Sequence, residues 1–234
     1  FLKIKKKKSD GLLPWQKLIL QLIATGIFAM YLLRSQNIST DMLIPFTGGL
    51  KDGRFLKLGI LFVPAVFFIV LGTDNGVNFT DGLDGLCSSV TIVVAGFFAV
   101  VSIRENIAIT PVIGAIIGAL MGFLVYNVHP AKVFMGDTGS LAIGGFIASL
   151  ALIMQMPLFI VIVGFIYLIE VVSVMIQVTY FKRTGGKRFF KMAPIHHHFE
   201  LMGIPESKVT MRFWIGTLIF GIIALGTIKM RGIL

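Results

Sequence analysis

The sequence holds a single cysteine, Cys87. That excludes an internal disulfide and a zinc site built on cysteines. Charge is also scarce, at 14% of residues, where a soluble domain carries about 25%. Acidic residues are the scarcer sign, 11 against 21 Lys and Arg, which leaves a net charge of +10. No internal repeat is visible, and no cleavable signal peptide is expected, because a basic run leads into an apolar stretch too long for a signal core. What remains is oil: 56% of residues are hydrophobic and the mean hydropathy is +0.91. A soluble fold is excluded, and the chain reads as an all-α polytopic membrane protein.

Seven stretches of membrane-crossing character are predicted: Leu18–Leu33, Leu58–Gly72, Leu86–Ile103, Pro111–Tyr126, Leu141–Met156, Leu158–Tyr180 and Arg212–Ile228. A break is expected at Met156-Pro157, since the residue before proline avoids the helical region. The loop 35–57, with Pro45 and Thr47-Gly48-Gly49, is expected to form a small β-hairpin. Basic residues set the orientation. Lys3, Lys5–Lys8, Lys17, Lys132, Lys182, Arg183, Lys187, Arg188, Lys191, Lys208 and Arg212 fall on one side. Arg34, Lys51, Arg54, Lys57, Arg104, Lys229 and Arg231 fall on the other. The richer side is assigned to the cytoplasm, with the N-terminus inside and the C-terminus outside. The lysines flank apolar spans, so their counterpart is anionic lipid headgroups or an anionic substrate, not nucleic acid. The run Lys5–Lys8 reads as a headgroup-binding stretch, with steering of a diphosphate as the sharper alternative.

Polar residues concentrate in three islands on that same side. In the first, Asn78, Asp81 and Asp84 are spaced by three and would share one face of a helix. Gly82 and Gly85 leave room for a ligand. Helix capping by one Asp is the plain alternative, but capping needs one such residue, and two carboxylates on one face repel unless a cation joins them. In the second, Gly136-Asp137-Thr138-Gly139-Ser140 opens a span. Such a helix start offers N–H groups to phosphate, and Asp137 offers a hard oxygen suited to Mg²⁺. Asn127 has the amide to bond a ligand. Phe134 is placed to stack on a base, although ordinary packing competes, and His129 reads as a structural loop histidine. The third island carries His196, His197 and His198 in a loop between Pro194 and Phe199. Consecutive side chains diverge, so hydrogen bonding to phosphate or sugar oxygens fits them better than one shared zinc ion. Glu170, inside the sixth span, is a functional candidate by its position; a structural glutamate facing Ser173 is the competing reading.

These segments resemble the phospho-N-acetylmuramoyl-pentapeptide transferase family, a branch of the polyprenyl-phosphate N-acetylhexosamine-1-phosphate transferases. The resemblance is carried by Asn78–Leu86, Pro130–Ser140 and Met192–Glu200 and runs the length of the chain. It implies transfer of phospho-N-acetylmuramoyl-pentapeptide from its UDP-linked donor to undecaprenyl phosphate, giving lipid I and UMP, with Mg²⁺ as cofactor. It implies a bacterial plasma-membrane enzyme with its site on the cytoplasmic face, sensitive to uridine-type nucleoside inhibitors, with homodimerisation a family expectation. By the same resemblance Asp137 is the metal ligand. Asp81, Asp84, Asp137, His196, His197, His198 and Lys3 belong to the catalytic set. Asn78, Asp81, Asn127, Phe134, His196 and His197 contact substrate. The family carries an Asp-Asp-x-x-Lys motif, of which Phe1-Leu2-Lys3 resembles the tail, and ten spans. The whole chain, 1–234, is therefore expected to be one transmembrane catalytic domain lacking an N-terminal part.

Three other readings compete. An N-acetylglucosamine-1-phosphate transferase is disfavoured by the uninterrupted histidines. A transporter is disfavoured because transport sites lie near the bilayer midplane. A plain membrane anchor leaves the glycine-bracketed aspartates unexplained.

Overall fold

A computed structural model describes residues 13–36 and 38–228. Lys3 and the run Lys5–Lys8 lie outside the described residues. Within them, seven helices are long and apolar enough to cross a membrane. They are α1 (Pro14–Arg34), α2 (Phe62–Thr80, entered through a 3₁₀ turn at Gly59–Leu61), α3 (Leu86–Arg104), α4 (Thr110–Asn127), α5 (Gly136–Ile153), α7 (Phe165–Arg183) and α9 (Glu206–Gly226). Two short helices complete the set, α6 (Ile160–Val163) and α8 (Ile195–Leu201). The expected hairpin is present as β1 (Met42–Leu43) paired antiparallel with β2 (Phe55–Leu56). It is fastened to the bundle by the Leu43 N–H, which donates to the Gln155 carbonyl at 2.7 Å.

Several boundaries differ from the sequence expectation, each for a local reason. The second span does not stop at Gly72 but continues through Thr73, Asp74, Asn75 and Asn78. Polar side chains there bond back to the helix: Asn75 to the Leu71 carbonyl and Thr80 to the Gly76 carbonyl, at 2.8 and 2.7 Å. The fifth helix starts at Gly136, five residues before the expected Leu141, so the glycine-rich polar motif is its first turn. The sixth span is not continuous. It begins with a 3₁₀ turn at Pro157–Phe159, and α6 ends at Gly164, where a Cβ would lie 2.7 Å from the Ile160 carbonyl. The last helix begins at Glu206 rather than Arg212, directly after Pro205.

The core runs through α3, in which Leu86, Val90, Val94, Phe97, Phe98 and Val101 pack against Ile147 and Leu150 of α5 and against Phe159 and Val163. The helix α1 lies at the periphery: its buried residues are Thr25, Ala29 and Leu32, all in its second half. Because successive spans reverse direction, the turn 81–85, the loop 128–135 and the segment 184–205 all come to the end of the bundle where α1 begins. The hairpin, together with the Lys51–Glu105 ion pair at 3.2 Å, marks the opposite end.

Candidate active site

The polar end is organised around three junctions. The first is where α2 stops. Asn78 sits in its last turn, Asp81 is the residue that ends it, and Asp84 lies beyond in an irregular turn. The three-residue spacing of Asn78, Asp81 and Asp84 is therefore not one helical face, contrary to expectation. Nor do the aspartates cap α3, whose N-cap is Gly85. The chain is turned so that each acid faces a different neighbour.

Asn78 points toward the start of α5. Its amide donates to Asp137 Oδ1 at 3.1 Å and to Ser140 Oγ at 2.9 Å. Asp137 occupies the first turn of α5, after Gly136 with φ +64°, a conformation glycine adopts without strain. Its other oxygen pairs with the Lys17 ammonium of α1. The Asp137 side chain is 52% exposed and thus open to a ligand. Asp81 lies close by. Burial pushes its carboxyl up to about 6 and the charge of Asp137 adds to the rise, against the lowering effect of a hydrogen bond from the Gly136 backbone. The two carboxylates are hard donors of the kind Mg²⁺ takes, so the residues present fit that ion at Asp137.

The second junction ties Asp84 to the loop 128–135. Asp84 Oδ2 accepts the Ala131 N–H at 2.9 Å and faces His129 Nδ1 at 3.1 Å. Glu206, from the first turn of α9, accepts the Asp84 N–H at 2.7 Å and lies 3.5 Å from the same imidazole nitrogen. Asp84, His129 and Glu206 thus bring three ligand atoms within 4.8 Å of one another, but a set containing a ring nitrogen suits Mg²⁺ less well than the oxygens at Asp137. His129 is more than a loop histidine: it bridges two acids from separate elements. Asn127 is buried and its amide is engaged by the protein. Its oxygen accepts from the Gly85 N–H and Ser88 Oγ, both at 3.2 Å, and its nitrogen donates to the Val133 carbonyl at 2.9 Å. It thereby fixes the residue next to Phe134, whose ring is 74% exposed.

The third junction is α8. The histidines lie on a short helix, not in a loop, and they diverge as consecutive residues must. His196 is fully buried, with Nδ1 3.1 Å from Glu170 Oε2. The approach is off the line a hydrogen bond requires, so it counts as a close acid–imidazole contact only. Across the ring, a Cβ on Gly82 would stand 2.1 Å from Nε2, so only glycine lets the Asp81 turn lie against this imidazole. His197 Nδ1 meets Glu200 Oε2 at 2.6 Å. His198 Nδ1 accepts the Lys191 N–H at 3.1 Å. The expected pairing of Glu170 with Ser173 is only half right: the Ser173 hydroxyl donates to the Glu170 backbone carbonyl, while the carboxylate turns to His196.

The structure thus gathers Asn78, Asp81 and Asp137 in one cluster, ties Asp84 to the loop bearing Phe134, and sets His196 behind the Asp81 turn. Lys17, His129 and Glu206 also stand at this end, and of them the sequence reading weighed only His129, as a structural loop histidine. Lys17 was legible only as a topology marker. The pairing of His129 with Glu206 spans residues far apart in the chain and left no sequence signal.

A bundle of membrane-crossing helices with an acid-, amide- and imidazole-bearing face defines a class, and the chain matches the family model described as glycosyl transferase family 4 over residues 10–155. Its relatives narrow the class. It is 52% identical to a phospho-N-acetylmuramoyl-pentapeptide-transferase of Clostridium botulinum, over 95% of this chain and 66% of the relative. It is 46% identical to that of Acetivibrio thermocellus, over 99% and 69%, and 42% identical to that of Solidesulfovibrio magneticus, over 98% and 67%. The chain belongs to this phospho-N-acetylmuramoyl-pentapeptide-transferase family and spans about two thirds of the length of these relatives.

Proposed function

We propose that the protein transfers phospho-N-acetylmuramoyl-pentapeptide from its UDP-linked donor to undecaprenyl phosphate, releasing UMP and forming lipid I in peptidoglycan synthesis. The observation that carries this reading is the meeting of Lys17, Asn78 and Asp137 from three separate spans beside Asp81, at the end of the bundle that also bears Phe134 and the histidines. Phosphoryl transfer needs little covalent chemistry from protein. It needs the reacting phosphates held in line and their charge neutralised.

A phosphate oxygen of the lipid attacks the sugar-linked phosphorus, and the bond from that phosphorus to the UMP oxygen breaks. Asp137, with Asp81 beside it, would hold Mg²⁺, which when bound neutralises diphosphate charge and stabilises the leaving UMP. Lys17 keeps a positive charge at the same point. Phe134 offers its exposed ring to uracil. Asp84 and Asn127 hold the turn and the loop around that ring, and His197, half-exposed, is available to sugar or phosphate oxygens. The acceptor is a lipid and the donor is soluble, so the reaction belongs at a membrane surface, and the excess of basic residues at this end supports the cytoplasmic one. An apolar groove of about 370 Å³ between α2 and the α6–α7 segment, lined by Phe68, Ile69, Ile160, Tyr167 and Val171 among others, matches an isoprenoid chain in chemistry.

The test is transfer assayed in detergent or nanodiscs with the muramoyl-pentapeptide donor against UDP-N-acetylglucosamine, with and without Mg²⁺. UMP release only with the muramoyl donor and only with the cation is expected. Equal or preferred use of UDP-N-acetylglucosamine would overturn the assignment.

A further inference from the structure

Asp74 is an acid inside a membrane-crossing helix, 5% exposed, that the proposed chemistry does not use. Gln21 of α1 donates to its Oδ2 at 2.6 Å. Its Oδ1 lies against the Gly144–Gly145 backbone of α5: a Cβ on Gly144 would be 3.0 Å from that oxygen and 2.6 Å from the Asp74 Cα. Asp74 is therefore gripped between α1 and α5 at a place where α2 and α5 touch backbone to backbone.

The position matters because of what lies next to it. Gln21 follows Lys17 by four residues on α1, and Asp74 precedes Asn78 by four on α2, so both pairs sit one turn, about 6 Å, apart on one face of their helices. The upper rung joins Lys17, Asn78 and Asp137, from α1, α2 and α5. The lower rung joins Gln21, Asp74 and the Gly144 backbone, from the same three helices. Lys17, Gln21 and Asp74 line one cavity of about 370 Å³, together with Thr25, Gly145 and Ser149. The site-proximal half of α1 buries no residue. Lys17 and Gln21 supply the described side-chain bonds from this half of α1 to α5 and α2.

We propose that Gln21 and Asp74 form a positioning pair that sets the register of α1 against α2 and α5, and so brings the Lys17 ammonium to Asp137. The effect on turnover rests on the function proposed above; the effect on geometry does not. Neither residue touches the reacting phosphates. Their action runs through Lys17.

The geometric test uses paired Lys17→Cys and Asp137→Cys substitutions, with buried Cys87 left in place, and reads disulfide formation between the two positions under a mild oxidant. Rapid cross-linking is expected with Gln21 and Asp74 intact, and a several-fold lower rate with Gln21→Leu. Asp74→Asn, which keeps an acceptor for the Gln21 amide, should retain most of the rate. The kinetic test introduces Gln21→Leu alone into the otherwise native protein. kcat should fall about 10- to 100-fold, the cost of a small misplacement of a charged group, with KM for the donor changed less and the unfolding temperature little changed. An unchanged cross-linking rate in Gln21→Leu would overturn the proposal. So would an equal fall in Asp74→Asn and Gln21→Leu accompanied by loss of folded protein. If the native protein shows no transfer at all, the assigned function fails while the cross-linking result still decides the positioning role.

Discussion

Two acid–base pairs stand at the same end of this bundle and differ in almost everything else. Lys17 and Asp137 meet at the rim, with side chains 28% and 52% exposed. Glu170 and His196 meet inside, at 0% and 1%. The rim pair is screened by water, adds little to stability, and can exchange partners when a phosphate or a cation arrives. The inner pair has no water to fall back on. Its worth is structural, because removing one member strands the other. Polar groups placed where solvent reaches them are available for chemistry, whereas polar groups sealed in protein fix where their neighbours stand. Here the sealed imidazole lies directly behind the turn that carries Asp81.

The comparison is broken most forcefully at the inner pair. Glu170→Ala should destabilise the folded protein by about 2 kcal/mol or more, the cost of emptying a fully buried side-chain site. Combining Glu170→Leu with His196→Leu should recover much of that loss. Thermal unfolding in detergent measures both, and a mild effect of the single substitution would place the pair with the rim pair. At the rim the reverse is expected. Asp137→Asn should leave unfolding nearly unchanged and lower transfer at least about 10²-fold, and near-normal turnover at saturating Mg²⁺ would remove Asp137 as the metal ligand. Phe134→Ala should weaken binding of a uridine nucleotide by roughly 1–3 kcal/mol if the base stacks there, read by titration calorimetry.

The smallest effect concerns Asp81, intermediate between the two pairs in exposure. Its carboxyl sits at about 6 in the folded state against 3.8 for the free group. The folded protein therefore holds the proton more tightly, and without divalent cations this residue makes stability decline as pH rises from about 4 through 6. Asp81→Asn should flatten that part of the profile. A profile unchanged by the substitution would mean that the carboxyl titrates at its ordinary value.

The sequence made the rim far more legible than the interior. Hydropathy located seven spans because a bilayer imposes a minimum apolar length, and glycine-bracketed aspartates at span ends marked Asp81 and Asp137. Where side chains change the rule, hydropathy misled. The second span was cut at Gly72 because Thr73, Asp74, Asn75 and Asn78 are polar, yet they stay helical by packing on α5 and α7 and by bonding to their own backbone. The break at Gly164 was invisible because both flanks are equally apolar. Glu170 stood out as an acid in a span, but its partner lay 26 positions away in a different element, and one sequence carries no signal of that pairing. The same holds for Gln21 with Asp74 and for His129 with Glu206.

Phe134 has a consequence of a different kind. A ring 74% exposed at the mouth of the polar end is hydrated apolar surface. Any planar ligand that covers it releases that water, and burial of apolar surface lowers the heat capacity of the complex. Nucleotide association should therefore grow more exothermic with rising temperature, and a plot of its logarithmic affinity against inverse temperature should curve rather than run straight, with a shallower bend once the ring is gone.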